Sequence, residues 1–72
     1  HHYDAEHLMM MIDELPIGYK TVFNLYAIEG YTHKEIGEML EISENTSKSQ
    51  LSKARKKLQE KLAQHQLLYK NN

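Results

Sequence analysis

Residues 32–58, THKEIGEMLEISENTSKSQLSKARKKL, decide the fold, because their apolar residues mark two amphipathic helices separated by a turn of about three residues. Thr32-His33-Lys34-Glu35 has the spacing of a capping box, in which a hydroxyl and a carboxylate each satisfy a backbone N–H at a helix start. Ile36, Met39 and Leu40 supply the expected inward positions of that first helix. Ile42 falls in the turn, and Ser43 is a good N-cap for the second helix. That helix is expected from Glu44 to Gln66, with an apolar seam of Leu51, Ala54, Leu58 and Leu62. Asn45, Thr46, Ser49, Ser52, Lys53 and Lys56 lie on the opposite face.

Upstream, Asp4 is the expected N-cap of a helix to about Glu14, with Leu8, Ile12 and Leu15 facing the core and Met9, Met10 and Met11 widening that stripe. Pro16 suits the start of another helix, Ile17 to Ile28, whose buried face is Val22, Phe23, Leu25 and Tyr26. Gly30 ends it. The expected fold is all-α, a small bundle of about four helices containing a helix-turn-helix, with the recognition helix last. Residues 1–72 form a single domain, in which residues 1–3 read as a tag or linker remnant and 67–72 as a frayed tail.

Seventy-two residues leave no room for a separate catalytic domain, and the absence of cysteine excludes disulfides and thiolate chemistry. No apolar run approaches a membrane span, and the N-terminus lacks the order of a secretory signal. The net charge of -1 conceals an asymmetry. Eight carboxylates oppose only Lys20 and Lys34 over residues 1–43, whereas seven cations oppose only Glu44 and Glu60 over residues 44–72. An acidic body thus carries a basic arm.

A helix of this kind fits the major groove of B-DNA, where small polar and cationic side chains meet base edges. Lys48, Ser49, Ser52 and Lys53 are the expected base contacts. Arg55, Lys56 and Lys57, a turn further on, suit phosphates, as do Thr32, His33 and Lys34 at the preceding helix start and Thr46 on the exposed face. A solvated basic face, with Glu44 and Lys48 as an i,i+4 pair, is the plain alternative. The capped helix and short turn directly before the charges favour docking on DNA.

The order Leu15-Pro16, Tyr19, Val22-Phe23, Glu29-Gly30-Tyr31, Glu35-Ile36, Ile42-Ser43, Thr46 and Ser49-x-Leu51-x-Lys53-Ala54-Arg55 resembles the C-terminal promoter-recognition region, region 4, of bacterial extracytoplasmic-function sigma factors. The resemblance spans Leu15 to Leu62. It implies that the helix from Glu44 reads the −35 promoter element, that the body docks on the beta-flap of RNA polymerase, and that an anti-sigma factor captures the domain. It also implies cytoplasmic work and no cofactor. Three positions depart from the usual pattern: Glu41 stands for Gly, Ser47 for Val and Gly37 for Ala. Glu41 is unstrained at negative φ and strained in the left-handed region. Ser47 gives up a buried methyl contact.

Output domains of response-regulator type share the Glu-Ile, Ile-Ser and Thr run but not Leu15-Pro16 or the Lys-Ala-Arg-Lys-Lys ending. A helical interaction module without DNA binding would use the Leu51, Leu58 and Leu62 seam on a partner, though packing within the chain explains it more simply. The methionines serve equally as core or as a soft docking surface. An enzyme or metal centre is the weakest reading. His7, His33 and His65 are scattered without ligand spacing, and His33-Lys34-Glu35-Ile36-Gly37 is not HExxH. Exposed or capping roles are expected for these histidines.

Overall fold

The computed structural model describes residues 5–70, with side chains described to Gln64. The expected cap at Asp4, the pair His1-His2 and the side chains of His65, Leu67, Leu68 and Tyr69 lie outside what is described. Four helical segments follow one another: α1 (Ala5–Asp13), α2 (Ile17–Phe23), α3 (His33–Leu40) and α4 (Glu44–Lys70). α2 passes directly into a π-helical turn, Asn24–Ile28. Among the described residues there is no strand. The all-α expectation therefore stands.

Pro16 is the N-cap of α2, one position before its expected place, and its carbonyl accepts the Lys20 N–H at 2.9 Å. The π-turn widens the end of that helix, with Glu29 N–H donating to the Asn24 carbonyl at 2.9 Å, five residues back. Gly30 then adopts φ 82°, and Tyr31 N–H reaches the Leu25 carbonyl at 2.9 Å, closing the helix as a glycine stop does.

Two apolar clusters share α4 as their spine. Met11, Ile12, Leu15, Ala54 and Leu58 form one, and Val22, Ile36 and Leu51 the other. Phe23 packs against both and joins them. Burying a side chain such as Ile36, wholly inaccessible here, contributes about 1.5–3 kcal/mol. In a domain this small, that is a large share of the stability. Ion pairs Lys61–Glu14 (3.2 Å) and Lys20–Asp13 (3.3 Å) fix α1 against α4 and α2. Their exposure makes them guides to orientation more than sources of stability.

Several expected core positions are exposed instead. Leu8, Met9 and Met10 face outward, and Met11 takes the buried place expected of Leu8. The reason is that α1 is buried only in its last turn, through Met11 and Ile12. Met39, half exposed, and Leu40 likewise leave the core: they follow Ile36 at the spacing of one helix face, but α3 is buried only at Ile36 and Gly37 and its last turn is left uncovered. α4 continues past the expected end at Gln66 to Lys70.

Candidate nucleic-acid interface

The turn between α3 and α4 is built from three local devices. The capping box forms as its spacing demands: Thr32 Oγ1 accepts the Glu35 N–H at 3.1 Å, and Glu35 Oε1 accepts the Thr32 N–H at 2.9 Å. The backbone and hydroxyl of Thr32 hold the Glu35 carboxyl below the usual range. At the other end, Glu41 caps α3 in the left-handed conformation (φ 57°, ψ 45°), the strained alternative for a residue with a Cβ. Ile42 N–H closes the turn on the Gly37 carbonyl at 2.9 Å. Gly37 permits this closeness, since a Cβ there would stand 2.7 Å from the Ile42 carbonyl oxygen. Third, Ser43 Oγ accepts the Thr46 N–H at 2.9 Å and donates to Thr46 Oγ1 at 2.8 Å, starting α4.

α4 leaves this turn with Ser47, Leu51, Ala54 and Leu58 inward, at the spacing of one helix face. The cations and small hydroxyls are consequently exposed, on two flanks with Ser49 between them. On one flank, His33, Lys48, Ser52, Arg55 and Lys56 line a groove with no carboxylate among its lining residues. On the other, Lys53, Lys56 and Lys57 lie beside Tyr19 and Glu60. Lys56 reaches both. Ser49 itself is exposed and reaches neither groove. Small hydroxyls and cations exposed side by side on one helix are the side-chain types that can meet base edges and phosphates.

The residues expected at the site divide among these surfaces. Lys48, Ser49, Ser52 and Lys53 are exposed on the first turns of α4, and Lys48 makes the expected i,i+4 pair with Glu44 at 3.8 Å. Arg55, Lys56 and Lys57 are exposed a turn later. Lys34 is exposed at the start of α3, but the Thr32 N–H is already spent on Glu35 and is not free for a phosphate. Thr46 is bonded to Ser43 and borders a different, apolar groove with Ile17, Val22, Leu40 and Ile42. Gln50 also lines that groove, and its Oε1 is buried without a hydrogen-bond donor.

His33 departs from the exposed or capping role expected of it. It is half buried, its Nδ1 lies 2.9 Å from Ser47 Oγ, and its ring stacks on Tyr26 with centroids 4.3 Å apart and planes at 15°. Ser47, fully buried, thus replaces the lost methyl contact by a hydrogen bond across the helix-turn-helix. The sequence held a signal for it. Ser47 sits in the Leu51-Ala54-Leu58 stripe, and a hydroxyl on a core face requires a partner.

Among the described residues no cluster of His, Cys, Asp and Glu could hold a metal ion, and no helix is long and apolar enough to cross a membrane. No curated protein and no solved structure gives a significant match to this sequence. A family model does, the one for sigma-70 region 4, aligned with residues 5–58 and so including every element from α1 to the basic turns of α4. On that match the chain belongs to the sigma-70 region 4 family, the non-enzymatic helix-turn-helix domain through which sigma factors bind DNA in transcription initiation.

Proposed function

We propose that this chain is region 4 of an extracytoplasmic-function sigma factor and that it directs RNA polymerase to promoters by reading the −35 element with the first turns of α4. The observation that carries the reading is the exposed Ser49 flanked on both sides by cation-lined grooves, on a helix whose start is fixed by Ser43. Lys48, Ser49, Ser52 and Lys53 meet bases. Arg55, Lys56, Lys57, Lys34 and His33 meet phosphates, with Thr32 and Thr46 shaping the two helix starts beside them.

The body docks on the polymerase beta-flap. The groove between Ile17, Val22, Leu40 and Ile42 supports this, since it is apolar and exposes Ile17 to 75%. The unpartnered Gln50 Oε1 at its wall would accept an N–H from the incoming segment. An anti-sigma factor would cover the same surfaces, and the work would be cytoplasmic. The acidic body makes the domain alone a weak DNA binder that relies on polymerase to hold it in place.

A titration of a −35 duplex across salt tests the DNA part: affinity falls steeply as salt rises if phosphates are neutralised. Salt-insensitive binding, or none even when the domain is tethered to polymerase, would contradict it. Capture of the isolated flap separates a sigma region from a regulator of response-regulator type. Loss of that capture in Ile17→Asp would assign it to the apolar groove.

A further inference from the structure

His33 is the one aromatic side chain among those lining the groove of Lys48, Ser52, Arg55 and Lys56, and two contacts fix its ring before any ligand arrives. Tyr26 stacks on its face at 4.3 Å, and the fully buried Ser47 holds its Nδ1 at 2.9 Å. With Nδ1 so engaged, Nε2 is the nitrogen that this groove-lining ring can offer a ligand. A hydroxyl both donates and accepts, so Ser47 satisfies Nδ1 whether or not that nitrogen carries a proton. Adding a proton to the ring therefore breaks nothing in the core.

What changes on protonation is the charge facing the groove. From α4 the neighbours there are Lys48, Arg55 and Lys56, with no carboxylate lining the groove. Glu44 is turned to Lys48 at 3.8 Å. From the π-turn the neighbour is the Tyr26 phenol, and from α3 itself come Lys34 and Glu35, the latter engaged with Thr32. A positive charge on the ring meets opposite charge once a phosphodiester lies in the groove, so the bound state favours the protonated ring.

We propose that His33, positioned by Ser47 and Tyr26, is a proton-linked phosphate contact, so that duplex binding takes up one proton from solvent at the imidazole. This rests on the DNA-binding reading and adds to it a dependence on pH. The phosphodiester keeps its charge throughout. Because phosphate is present in every sequence, the linkage is independent of promoter identity.

The test measures binding of a mixed-sequence DNA duplex to the chain by fluorescence anisotropy at constant ionic strength, at about pH 8 and about pH 6, spanning the ordinary imidazole range. One linked proton changes Kd by at most about tenfold per pH unit. The wild type should tighten on acidification by about three- to tenfold more than H33Q, in which the remaining histidines still titrate. S47A, which leaves the Nδ1 of a charged ring without its partner, should lose most of that excess. On the unaltered chain, NMR of labelled histidine should show the His33 ring moving to its protonated signals when duplex is added at about pH 7. Equal tightening in wild type and H33Q, with His33 signals unmoved by duplex, would overturn the proton linkage and leave DNA binding standing. Absence of duplex binding at both pH values would overturn the linkage together with the reading on which it rests.

Discussion

Glu41→Gly should make this domain more stable, although it removes a side chain from a helix end. Glu41 occupies the left-handed region at φ 57°, where a Cβ costs about 1–2 kcal/mol. Glycine removes that cost but adds unfolded-chain entropy of about 0.5–1 kcal/mol, so the net gain is about 0.5–1 kcal/mol. The Glu41 side chain is exposed, so little else is lost. Gly37→Ala should act in the opposite direction. Its new Cβ would press on the Ile42 carbonyl at 2.7 Å, a backbone atom that cannot swing aside. Overpacking of about 1–3 kcal/mol then outweighs the roughly 1 kcal/mol that alanine gains in helix propensity. Both positions act on the turn that carries Ile42, so the double variant should show a coupling of about 0.5 kcal/mol or more. Urea unfolding of the four proteins measures this, with the slope unchanged and the midpoint moved. In a domain of this size about 1 kcal/mol corresponds to a Tm shift of about 4–8 °C. A Glu41→Gly variant no more stable than wild type, or a stabilised Gly37→Ala, would refute the strained-turn reasoning.

Ser47→Ala should destabilise by about 1 kcal/mol, because His33 Nδ1 loses its partner in a half-buried setting; thermal unfolding reads the shift, and a neutral result would mean that the bond contributes nothing net. Thr32→Ala should cost about 1 kcal/mol through loss of the α3 cap. Glu35 adds a dependence on pH: its folded value is lowered, so its contribution is complete above the unfolded carboxylate range and is lost as pH falls through the lowered value. Glu35→Gln should therefore be less stable than wild type at neutral pH and converge with it on acidification, and a constant difference across pH would contradict the cap assignment. Lys53→Ala should erode preference among bases by about 1–3 kcal/mol, whereas Lys57→Ala should weaken specific and random duplexes alike and lower the salt slope by about one. Equal losses on both kinds of duplex for Lys53→Ala would remove it from the base-reading set.

Much of this architecture was legible in the chain because its signals are local. The Thr32–Glu35 box, the Ser43 cap, the Gly30 stop and the Leu51-Ala54-Leu58 seam each depend on spacing within a few residues, and each forms as expected. Features that depend on how helices meet were harder to read. Periodicity assigned Leu8, Met39 and Leu40 to the core, but it says nothing of how much of a helix its neighbours cover, and α1 is covered only at its last turn. The π-turn has no composition signature, so the Tyr26–His33 stack beside it was invisible from sequence. The basic residues of α4 were identified from charge and position alone. Their separation into two flanks, one shared with His33 and the other with Tyr19, came from the packing of α4 against α2 and α3.

The most direct measurement of the central claim is selection of DNA from a random pool by polymerase carrying this domain. One short element should be enriched at the −35 position, relaxed at particular bases by Lys53→Ala and left unaltered in sequence by Lys57→Ala. Recovery of the random pool, with no element enriched over polymerase lacking the domain, would contradict the claim.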